Sequence, residues 1–194
     1  MRKTAAFAAA ALLAVLVITA LAGCNDNERK AREYIENARE KYKAVAQENE
    51  KLKKQYEALG ALGESTQGVT PEDIAAMRKY LVGLVANIEA IDKSSQAVRS
   101  EYEKVLDLGD AARYKEFARI EMQKLSLVDR QARLSNDLAA VAVKAMDAYA
   151  AGQAIDQAAI ENETKPIVEQ RIKIDGQINE LNQEATELAE ELNL

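Results

Sequence analysis

Apolar residues recur along most of the chain in alternating steps of three and four. The first run is Ile35, Ala38, Tyr42, Val45, Asn49, Leu52, Tyr56 and Leu59. Such spacing keeps one stripe of an α-helix turned toward a neighbouring helix. Gly60 and Gly63, with Ser65, Thr66, Gln67 and Gly68, then break the pattern into a loop. A second helix is announced by its start: Thr70 can cap, Pro71 suits the first helical position, and Glu72 and Asp73 suit the positive end of the helix dipole. Val69 and Ile74 are spaced as a hydrophobic staple. The stripe continues through Ile74, Met77, Leu81, Leu84, Ile88, Ile91, Ser95, Val98, Tyr102 and Val105, and stops at Gly109.

The third helix is expected behind Asp110 as its cap, and it carries two adjacent stripes. One is Tyr114, Ala118, Leu125, Val128, Ala132, Ala139, Ala142, Met146 and Tyr149; the other is Leu127, Leu134, Leu138, Val141 and Ala145. A two-stranded coiled coil needs one seam, whereas a bundle helix flanked on both sides needs a wider apolar face. Gly152 ends this helix. Asp156 caps a fourth, with Ile155 and Ile160 as its staple; Pro166 lies deeper than its first turn and either kinks it or marks a fresh start after Thr164, the kink being the favoured reading. The most regular heptad follows: Ile167, Ile174, Ile178, Leu181, Ala185, Leu188 and Leu192. At 1.5 Å per residue each helix is about 50–60 Å long.

Short links make consecutive helices antiparallel neighbours. The expected fold is therefore all-α, an antiparallel up-down-up-down bundle of about four long helices with coiled-coil-like heptad packing. In that order Arg29, Lys30 and Arg32 at the start of the first helix face Glu187, Glu190 and Glu191 at the end of the fourth. Asn49 is the polar member of the first stripe. Buried, it would set register and partner number, which leaves a homo-oligomer open; at the seam edge it would do neither.

Composition narrows the chemistry. The chain has no histidine and no tryptophan, one cysteine, and only eight glycines and two prolines. Ser-His-Asp and Cys-His catalysis, histidine-bearing zinc and di-iron sites and a Gly-rich phosphate loop are thereby excluded. The expectation is no enzyme, no catalytic residue, no metal site and no cofactor. Most of the seven tyrosines fall on the apolar stripes and read as core rather than as an aromatic cage. The net charge of −6 includes Arg2 and Lys3, so residues 24–194 carry −8. With no basic tract, that argues against nucleic acid and against lying flat on anionic lipid.

Ahead of the helices the pattern is different. Arg2 and Lys3 precede an almost unbroken apolar stretch from Ala5 to Ala22, which closes on Leu21-Ala22-Gly23-Cys24. A basic start, an apolar middle and small residues before a cut make a secretory signal. An uncleaved membrane anchor is the alternative, since about 20 apolar residues can span a bilayer. Either way the remainder lies on the non-cytoplasmic side, because Arg2 and Lys3 hold the N-terminus inside.

The run Leu21–Cys24 resembles the lipobox of bacterial lipoproteins. That resemblance implies diacylglyceryl transfer to the Cys24 sulfur, cleavage before Cys24 and acylation of the new amine by a palmitate-type chain. It places the mature protein at the cell envelope, on the outer membrane if the host has one, since Asn25 rather than Asp follows the cysteine. The expected organisation is a signal peptide over 1–23, a short lipidated tether over 24–30 and the helical bundle over 31–194. The charged helical body with its Glu-, Lys-, Asn- and Leu-rich last helix also resembles cell-wall-binding lipoproteins of Gram-positive bacteria. Together these imply a non-catalytic binding or scaffolding module, whose partner is an envelope protein or wall polymer. The alternative is a carrier of a small apolar ligand held between the helices, near Pro166 and the alanine-rich half of the third.

Overall fold

A computed structural model describes residues 26–55, 70–154 and 156–194. The signal, Cys24, Tyr56, Leu59, the expected loop over 60–68, Val69 and Ile155 lie outside them. Residues 26–55 are helical throughout (α1) and are followed by α2 (Pro71–Leu106), α3 (Ala112–Ala150) and α4 (Gln157–Leu192). The protein is an all-helical bundle, with no strand among the described residues.

Side-chain contacts establish the antiparallel order. Lys41 on α1 pairs with Glu101 on α2, and farther along Asn87 donates to the Gln55 side chain at 2.9 Å. Arg99 on α2 meets Asp129 on α3 at 2.7 Å, and Arg78 meets Asp147. On α3 and α4, Gln131 bonds Asp175 and Lys144 faces Glu163 at 3.3 Å. In each pair of helices one residue number rises as the other falls. Gly83 permits a close approach in this frame, since a Cβ there would lie 2.8 Å from the Gln55 amide.

The stripes bury where the periodicity places them. Ile35, Val45, Leu84, Ile91 and Val98 are fully buried, and Leu125, Ile174 and Leu188 nearly so. Two expectations shift. The α3 stripe fades past Ala139: Ala142 is exposed, Met146 packs only partly against the core and Tyr149 is 39% exposed. Leu181 is half-buried rather than central, and Asn49 is half-buried, at the seam edge.

The helix ends show how local chemistry sets the boundaries. Pro71 opens α2, and the Thr70 carbonyl accepts from Ile74. Asp156 caps α4, accepting from the Ala159 amide at 3.0 Å. Asp110 does not cap α3: it is exposed, and the cap position falls on Ala111, which has no side-chain hydrogen bond. Ala111 is 3% exposed, its methyl packed into the core at the start of the helix.

At the end of α3, Gly152 takes φ +73°, donating to the Tyr149 carbonyl while Gln153 donates to Ala148. This is a Schellman closure. Asn193 repeats it at φ 52°, with Leu194 donating to Ala189 and packing partly against the core. Pro166 begins no new helix, for α4 runs through it unbroken.

Candidate functional site

Two ends of the bundle differ in chemistry. The proximal end gathers the start of α1, the α2–α3 turn and the end of α4. Helix is already formed at residue 26, so residues 26–30, expected as tether, belong to α1. The Asp26 carboxylate lies 2.7 Å from both Arg29 and Lys30, three and four residues on, pairs that support this stretch of helix. Hydrogen bonds from Lys30 and then Arg29 hold that carboxyl below its ordinary pKa.

The expected meeting of basic α1 with acidic α4 occurs at the right place with different partners. Arg29 and Lys30 are spent on Asp26. Arg32 donates to the backbone carbonyls of Leu192 at 2.6 Å and Asn193 at 2.9 Å, and its guanidinium lies 5.5 Å from the centre of the Tyr114 ring. A helix C-terminus carries unpaired carbonyls at the negative end of its dipole, and a cation there satisfies both needs. Glu191 turns instead to Arg113 on α3. Gly109 lets the α2–α3 turn approach α1, where a Cβ would lie 3.1 Å from the Asn27 amide.

Just inside this end lies a buried carboxylate. Glu101 is 4% exposed, yet Lys104 reaches both its oxygens at 2.8 and 2.9 Å, and Lys41 bonds it from α1. Burial pushes its pKa up, and the hydrogen bonds from the two lysines outweigh that, leaving it below the ordinary carboxylate value. Lys104 also lies 5.5 Å from the Tyr34 ring centre, which ties α1 and α2 together. Nearby, Tyr102 meets Phe117 edge-on at 6.4 Å, and burial raises the Tyr102 hydroxyl far above its usual pKa.

The distal end holds an open groove of about 890 Å³ between the start of α2 and the end of α3. Ile74, Ala75, Tyr149 and Ala150 supply an apolar floor, and Arg78 and Gln153 supply polar edges. Small residues at the two facing helix ends leave this space. Among the described residues, no group of three or more metal-ligating side chains converges, and no helix is long and apolar enough to cross a membrane.

Of the residues singled out from sequence, Cys24 lies outside the described residues, and the chain is helical at residue 26. Tyr102 and Tyr114 are buried core, Tyr34 and Tyr42 pack partly against it, and Tyr80 and Tyr149 reach the surface. The sequence reading set Arg32 against the end of α4 but with acidic side chains as partners, and it missed Arg78 and the distal groove. Their roles depend on which helix ends meet, and no spacing along one helix reports that. No family model matches this chain, nor does any curated protein or solved structure.

Proposed function

We propose that the chain is a lipid-anchored envelope protein whose helical bundle acts as a non-catalytic binding and scaffolding module. Lipid on Cys24 holds it to the non-cytoplasmic face of a membrane, and the bundle presents its faces and distal end to an envelope protein or to wall polymer. The observation that carries this reading is the run Leu21-Ala22-Gly23-Cys24 behind an apolar stretch, with a packed helix already formed at residue 26. So short a connection leaves the bundle standing close to the bilayer, its proximal end inward. Two or three acyl chains anchor stably where one does not.

Metabolic labelling with a clickable fatty acid tests the anchor. The wild-type chain should label and partition with membranes; Cys24→Ala should lose the label and persist as an uncleaved precursor. A labelled Cys24→Ala chain would overturn the reading. The distal groove favours a second role as carrier of a small apolar molecule, since its volume lies within the range of ligand pockets. An environment-sensitive apolar dye should then bind wild type and lose affinity for Ile74→Glu, with equal binding counting against a carrier.

A further inference from the structure

Beside the core seam of α2 runs a second stripe: Arg78, Val82, Val85 and Glu89, spaced by four, three and four. Val82 is 72% exposed, the most exposed large apolar side chain among the described residues, and Val85 is 41% exposed. The stripe borders the outer groove between α2 and α3. Arg78 reaches across to Asp147, and Glu89 lines a depression together with Asp129 and Arg133. Val143 on α3, 36% exposed, stands at the level of Val82 and widens the apolar area. Three exposed valines thus lie between two charges of opposite sign.

We propose that a second copy of this chain covers the stripe, α2 against α2, antiparallel about a two-fold axis between Val82 and Val85. Steps of four and three form an a/d seam, and in an antiparallel pair each a position meets a d position. Val82 then faces the partner's Val85, and Arg78 faces the partner's Glu89. The two-fold axis repeats both contacts. A parallel pair would set arginine against arginine and glutamate against glutamate, so charge selects the antiparallel arrangement. Glu89 has no ion-pair partner among the described residues. Arg78 and Asp147 are each more than half exposed, so sharing Arg78 costs little.

Geometry gives the pairing a direction. α2 starts at the distal end, and its Leu106 end lies beside the start of α1. From the axis to Leu106 is about 22 residues, or about 33 Å. The paired bundles therefore overlap at their distal ends and point their proximal ends apart, about 70 Å from one to the other. With lipid on Cys24, as proposed above, the pair joins facing membranes rather than neighbours on one membrane. Only that last step rests on the anchor. The seam is short compared with a standard interface of about 1,200–2,000 Å², so the pair forms weakly and gains from crowding on a surface.

Sedimentation of the purified full protein in detergent, up to roughly 1 mM, tests the pairing. Wild type should be a reversible dimer. Arg78→Glu or Glu89→Arg each turns two attractions into two repulsions and should weaken the dimer about tenfold. The double exchange should recover wild-type affinity to within about threefold. Circular dichroism should be unchanged throughout, since both residues are exposed. A monomer at every concentration, or a dimer indifferent to single exchanges, or a double exchange that fails to rescue, would each overturn the proposal. Vesicles bearing the anchored protein should aggregate with the same pattern; dimers without aggregation would refute the facing-membrane arrangement alone. Cys24→Ala labelling reads the anchor independently of pairing.

Discussion

Replacing Arg32 with methionine removes one guanidinium and keeps most of the apolar stem, which makes it a sharp test of how the bundle closes. In the folded protein that guanidinium bonds the carbonyls of Leu192 and Asn193 and lies 5.5 Å from the centre of the Tyr114 ring. A cation at a helix C-terminus contributes about 0.3–1 kcal/mol, and an exposed cation–π contact about 0.5–1 kcal/mol. The two carbonyls can turn to water when the donor is lost, so the full desolvation penalty does not apply. The expected cost is about 1–2 kcal/mol, which for a domain of this size lowers the melting midpoint by about 2–8 °C.

Arg29→Ala is the control. Arg29 is two-thirds exposed and, among the described residues, pairs with Asp26 alone, on its own helix, so its loss should leave the midpoint where it was. Thermal unfolding of both variants followed by circular dichroism makes the comparison directly. Equal midpoints would mean that Arg32 does not clasp the end of α4, and the closure of α1 onto α4 would need another source.

Other outcomes follow from burial and charge. Leu188→Ala, at 5% exposure, should cost about 2–5 kcal/mol in chemical denaturation, half-buried Leu181→Ala about 1–2 kcal/mol, and exposed Glu190→Ala less than about 1 kcal/mol; equal effects would refute packing of α4. Gly176→Ala meets open space within a helix and should stabilise by about 0.5–1 kcal/mol, read as a higher denaturation midpoint. Glu101 has a folded pKa below its unfolded one, so its contribution is present above the unfolded value, about 4, and is lost as pH falls through the folded value. Denaturation of wild type and Glu101→Gln should therefore converge on acidification, and parallel curves from pH 7 to pH 3 would contradict the paired carboxylate.

The bundle was legible in the sequence because burial between helices repeats with the helix itself. Leu84, Ile91 and Val98 recur every seven residues, two turns of one helix, and Ile35 and Leu188 lie on the corresponding stripes of α1 and α4; all five are buried. What periodicity cannot report is where one helix stands against another. Phe117 is nearly fully buried beside Ala118, where the sequence alone favoured the alanine, because α1 and α2 approach α3 on both sides there.

Charge is less legible still. Three basic residues near the start of α1 and three acids near the end of α4 invited a direct match, yet Asp26 is closer in sequence to Arg29 and Lys30 and takes both. Only Arg32 crosses, and it meets backbone carbonyls, which no side-chain pattern reveals. Glu101 makes the same point from inside. A carboxylate beside Tyr102 reads as a surface residue until Lys41 arrives from another helix to pay for its burial. The candidate sites divide along this line. Cys24 can be read because its signal is contiguous, whereas the distal groove and the Arg78–Glu89 stripe acquire meaning only once α2 and α3 are set side by side.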